Sequence, residues 1–174
     1  MRLRVALDVS IGSDRAESYG GFNVSDWSRN AANKLRKRAE RKDDENATLA
    51  EERRLLEEQG PALWRQVREH VKRECDSLNA DYEEDIAVVQ EGPAHKLHVE
   101  LRHAGNMSEL NASFDISTSP DALKWSYAGP AARMARGGQY SLHVNAGTVI
   151  FQDSLTPSTP ESIASQMLDG LLQE

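Results

Sequence analysis

Residues 25–60 constrain the fold more than any other stretch. Of these 36 residues 18 are charged, and only Leu35, Leu49, Leu55 and Leu56 are Leu, Ile, Val or Phe. Such a stretch cannot build a core of its own. Its regular elements must be helical and exposed, or be completed by another surface.

The remaining chain has to supply the core. Across all 174 residues, 35 are Leu, Ile, Val or Phe, close to the roughly 20% below which chains tend to disorder. That is enough for one domain and too little for two independent cores. The longest apolar run, Ile86 to Val89, is far short of the ~20 residues that a membrane span requires. The first residues, MRLRVALDVS, carry Asp8 inside an apolar stretch too short for a signal peptide. The lone Cys75 excludes an internal disulfide framework and a multi-cysteine zinc site. A cytoplasmic protein of net charge −7 is expected. The four Asn-x-Ser/Thr triplets at Asn23, Asn46, Asn106 and Asn111 matter only in a secreted chain.

Periodicity divides the sequence. Leu3, Val5, Leu7 and Val9 alternate with polar residues, predicting a strand, and a Gly- and Ser-rich linker follows to residue 24. Ser25-Asp26 offers a cap for a long polar helix. Its weak stripe is Trp27, Ala31, Leu35 and Ala39, and four i,i+4 pairs line its surface: Arg36–Glu40, Arg41–Glu45, Arg53–Glu57 and Arg54–Glu58. Leu49, Leu56 and Leu63 recur every seven residues. Gly60-Pro61 predicts the end of this helix and the start of another over 61–79, because proline removes a donor and suits a first turn. The second helix has the cleaner face, Leu63, Val67, Val71, Cys75 and Leu78, with Trp64 at its edge.

From Asp81 the period changes to two. Alternation over 97–101, 110–116, 123–127 and 140–144, and a short segment at 148–152, predicts about five strands, with Ile86, Val88 and Val89 as a possible sixth. Short turn signals between them describe an antiparallel meander with one buried face. Ser158 as cap, with Glu161 at the capping-box position, opens a last helix over 160–172 bearing Ile163, Met167, Leu168, Leu171 and Leu172. The expected fold is α+β: an antiparallel meander covered by helices, with a long charged N-terminal helix. The expected division is 1–24 strand and linker, 25–59 charged helical arm, and 60–174 α+β domain.

Two places carry candidate chemistry. Arg29, Lys34, Arg36, Lys37, Arg38, Arg41 and Lys42 put seven bases against one acid, Glu40. Within them, Ala31-Ala32-Asn33-Lys34-Leu35-Arg36-Lys37-Arg38 resembles the basic region of bZIP transcription factors over about ten residues. The resemblance implies a basic helix whose Lys and Arg neutralise phosphates in a major groove. Outside this segment Ser28 stands where the family has Asn, and the zipper-leucine positions fall on Asn46, Arg53 and Gly60. The second place is the polar sheet face, where His98, Glu100, Asp115 and His143 form a ligand or acid–base set if their strands are neighbours.

No P-loop, GxGxxG, GxSxG or CxxC is present. No catalytic residue, metal ligand or cofactor is therefore assigned, and an enzyme is not expected. Three readings follow: a non-catalytic interaction or assembly subunit, docking a protein partner or a second copy through residues 26–58; a ligand-binding or hydrolytic domain using the polar face; and a nucleic-acid-associated protein using 29–42. The first is preferred, since the arm is too polar to be completed within one chain. Neither a membrane nor a nucleic acid is the expected partner.

Overall fold

The computed structural model describes residues 24–93, 95–117, 122–154 and 156–173. The strand read over residues 2–9 and the loop after it lie outside them. The chain divides into two units, Met1–Glu45 and Asn46–Glu174.

Helix α1 covers Val24–Tyr82, with Pro61 inside it. Gly60-Pro61 therefore does not end the helix, and the reason is tertiary. Gln59 accepts from Val149 N–H at 3.0 Å and donates to the Gly147 carbonyl at 3.4 Å. Gly60 is buried, and a Cβ built there would stand 3.1 Å from Leu142 Cδ1. Fixing the residues before Pro61 and burying Trp64, Val67, Val71 and Cys75 after it offsets the roughly 3 kcal/mol that an interior proline costs. Trp64, read from the sequence as the edge of this face, is at its centre: it is fully buried and stacks on Phe114 at 5.7 Å.

Seven strands follow as a pure meander, β1 to β7 in spatial order. They are β1 Ala87–Gly92, β2 Lys96–His103, β3 Asn106–Phe114, β4 Leu123–Ala128, β5 Gly138–Asn145, β6 Thr148–Asp153 and β7 Thr156–Ser158, all paired antiparallel. A one-turn helix, α2 Ala131–Met134, bridges β4 and β5. The sequence reading of about five strands, with a sixth at Ile86, Val88 and Val89, matches β1 to β6 and omits the three-residue β7. Ala104-Gly105 and Ala146-Gly147 close two-residue hairpins with φ positive at both positions, the geometry that matches the right-handed twist of the flanking strands. Asn79 clamps the edge strand, exchanging two 2.8 Å hydrogen bonds with the Ala87 backbone.

Alternation puts Leu97, Val99, Leu110, Phe114, Leu123, Trp125, Leu142 and Phe151 on the buried face. The C-terminal part of α1 and helix α3, Pro160–Asp169, share one core with them. Thr159, and not Ser158, caps α3, its side chain accepting from Ser162 N–H, so Glu161 is one position early for a capping box. The helix also ends at Asp169 rather than 172. Ile163, Ala164 and Met167 are its buried residues, whereas Leu168 is half-buried. Tyr127 Oη donates to the Met167 carbonyl at 2.9 Å, and Tyr140 Oη to Gln166 Oε1 at 2.7 Å. At Gly170 any Cβ would overlap the Tyr127 hydroxyl, so a residue without one is needed where sheet and helix end meet. The aromatic strand residues Phe114, Trp125 and Tyr140 are buried in the core, and Trp125 stacks on Tyr140 at 5.7 Å.

Candidate functional site

The first candidate lies on α1. From Trp27 to Arg54 every residue is exposed except Ala31, which is half-buried. Three large apolar side chains are among them: Trp27, Leu35 and Leu49 are 70%, 63% and 62% exposed. All seven bases, Arg29, Lys34, Arg36, Lys37, Arg38, Arg41 and Lys42, lie in this span. Helical geometry groups five of them. Lys34, Lys37, Arg38, Arg41 and Lys42 follow the i, i+3, i+4, i+7, i+8 pattern of one face, while Arg29 and Arg36 fall on another.

The acidic half follows in sequence. Arg53 pairs with Glu57 at 3.0 Å, and Arg54 reaches both Glu51 at 2.7 Å and Glu58 at 2.6 Å. Their hydrogen bonding holds Glu51 below its ordinary carboxylate range, chiefly through Arg54. Such exposed pairs are screened by water and cannot by themselves support 27 exposed residues.

The second candidate is the outer face of the sheet. His98 and Glu100 project to the same side of β2 and meet at 3.3 Å, Nε2 to Oε1. His98 Nδ1 is 3.0 Å from Asn111 Oδ1, its cross-strand partner on β3. Arg102 donates to Glu100 Oε2 at 2.6 Å. The result is a line, Asn111–His98–Glu100–Arg102, beside a shallow groove of about 510 Å³ that Gln90, Lys96 and Lys124 also border. Arg102, and after it His98, holds the Glu100 carboxyl below its usual range. That direction suits a fixed anion and works against a general acid at neutral pH.

The other two residues of the set stand elsewhere. Asp115 follows β3 and turns its carboxylate onto Ser117, accepting from the backbone N–H at 2.8 Å and the hydroxyl at 2.7 Å. His143 is on β5, opposite Ile150, with β3 and β4 between it and His98. Among the described residues no three His, Cys, Asp or Glu side chains are grouped to hold a metal. The structure thus joins His98 to Glu100 and leaves Asp115 and His143 apart. Asn111 is the partner missed by the sequence reading. Its signal was present: a two-residue turn at Ala104-Gly105 fixes the register and sets residue 98 against 111.

No family model, curated protein or solved structure matches this chain.

A small cleft of about 190 Å³ lies between α1, β2 and α3, bordered by Cys75, Leu78, Val99 and Leu168. Burial, with Asp76 and Glu74 beside it, pushes the Cys75 thiol up to about 11. A protonated, buried thiol is a small apolar side chain and not a nucleophile. No helix among the described residues is long and apolar enough to cross a membrane.

Proposed function

We propose that this chain is a non-catalytic interaction or assembly subunit that docks another protein chain along the exposed part of α1. The observation that carries the reading is the exposure of residues 27–54, with Ala31 alone half-buried. Most helical stability in proteins comes from tertiary packing of one face. Among the described residues Trp27 to Arg54 are exposed apart from the half-buried Ala31, and Trp27, Leu35 and Leu49 are presented along this stretch. A partner that covers those side chains supplies the missing packing.

A hydrolytic or ligand-binding role for the sheet face is supported less well. Its one histidine–carboxylate contact is tied to Asn111 and Arg102, and the second histidine and carboxylate are not beside it. Nucleic-acid binding through 29–42 would need the five-cation face to prevail over the acidic residues from Asp43 onward.

The test is a photo-activated cross-linker at Leu35 of the full chain, in the cells that make it. The expected result is a single protein adduct of defined mass. That adduct should disappear when Arg29, Lys34, Arg36, Lys37, Arg38, Arg41 and Lys42 are all replaced by Gln. No protein adduct, or an adduct with nucleic acid alone, overturns the reading.

A further inference from the structure

Within that reading of α1 as a docking arm, and resting on it, we infer that the occupant is a second copy of this chain, with the two arms antiparallel. The inference comes from two independent patterns in residues 29–57.

The first pattern is size. Ala32, Leu35, Ala39, Lys42, Asn46, Leu49, Arg53 and Leu56 are separated by alternating steps of three and four, the spacing of a seam between two helices. Leu35, Lys42, Leu49 and Leu56 form one line of this seam, and Ala32, Ala39, Asn46 and Arg53 the other. If two copies lie parallel and in register, each residue meets itself. Lys42 then faces Lys42 and Arg53 faces Arg53, while Ala39 faces Ala39 and leaves a gap. Antiparallel pairing about residue 44 opposes the two lines instead. Ala39 meets Leu49, Ala32 meets Leu56, Lys42 meets Asn46, and Leu35 lies along the aliphatic stem of Arg53. Leu35 and Leu49 are exposed, and Leu56 is half-buried, packed in part against the chain's own core.

The second pattern is charge. The arm is basic from Arg29 to Lys42 and mostly acidic from Asp43 to Glu58. In the same antiparallel register Arg38 flanks the seam opposite Glu52 of the second copy, and Arg29 opposite its Glu57. The two-fold axis repeats both pairs. Near the axis Asp43 and Glu45 each approach their own symmetry mates, and Lys42 of both copies stands beside them as counter-charge. The parallel arrangement loses this match, because Glu52 then flanks Glu57. Opposed charge blocks choose orientation and register even where they contribute little to affinity.

A charge-swap experiment on the full chain tests it. One variant carries Arg29→Glu and Arg38→Glu; the other carries Glu52→Arg and Glu57→Arg. Sedimentation of the unchanged protein should give twice the 19.4 kDa chain mass. Each variant alone opposes like charges at all four positions and should dissociate at least tenfold more readily. An equimolar mixture makes all four pairs attractive again and should recover the dimer. Far-ultraviolet circular dichroism checks that each variant keeps its helix. A wild-type monomer, or a mixture no more dimeric than either variant alone, overturns the second-copy assignment. A cross-link from Leu35 to a different protein does the same while leaving the docking function standing. Absence of any protein cross-link removes both.

Discussion

Replacing Pro61 with Ala separates a continuous α1 from two helices meeting at Gly60, because the two arrangements predict opposite signs. Inside a helix, proline lacks the N–H that would bond to the Glu57 carbonyl, and its ring crowds that carbonyl. Alanine is better there by about 3 kcal/mol. Two effects work against the substitution. Proline reduces the freedom of the unfolded chain, worth about 0.4–1 kcal/mol. The half-buried ring also loses two methylenes' worth of partial contact, at most about 0.8 kcal/mol each. The net expectation for Pro61→Ala is a stabilisation of about 1–2 kcal/mol. In a chain of this size that is a rise of about 2–8 °C in Tm. If Pro61 opened a separate helix it would occupy a favoured first-turn position, and the substitution would cost about 0.4–1 kcal/mol. Urea unfolding followed by circular dichroism and by tryptophan fluorescence gives the midpoint, and an unchanged slope makes it a stability difference. A midpoint at or below that of the wild type refutes the continuous helix.

Met167→Ala should cost about 2–5 kcal/mol, since it removes three fully buried heavy atoms, while Leu168→Ala costs distinctly less; equal losses in urea unfolding would place α3 differently on the sheet. Cys75 should react with iodoacetamide at pH 8 on the order of a hundredfold more slowly than in the unfolded chain, its thiol standing at about 11 instead of about 8.5. Because that value is raised on folding, the buried thiol favours the fold below the ordinary thiol range, and the contribution fades as pH climbs toward 11. Glu100 and Glu161 are held below their ordinary range, the first by Arg102 and His98, the second chiefly by its own backbone N–H and Thr159. Their contribution is present above the ordinary carboxylate value of about 4.3 and is lost as pH falls through the lowered ones. Glu100→Gln should therefore flatten the acid limb of a Tm-against-pH curve, and an unchanged limb would show that the Arg102 bond contributes nothing.

The class of the fold was legible in the chain because periodicity is a local property. Residues 97–101 and 110–116 can alternate only if one side faces a core, and Val67, Val71 and Cys75 share a helix face by spacing alone. The charge blocks of residues 29–58 were equally plain. Three features depended on contacts distant in sequence. Pro61 marks a helix start by every local rule, and only Gln59 bonded to the β5–β6 hairpin, with Gly60 and Trp64 packed on the sheet, carries the helix through it. Trp64 is at the centre of the core because Phe114, fifty residues later, supplies the ring it stacks on. His98 and His143 share a chemistry and an outward direction, but strand order separates them, and order is decided by which hairpins close. Local spacing sets which way a side chain points; what it meets there is set by segments far along the chain, whose packing energy exceeds local preferences of a few kcal/mol.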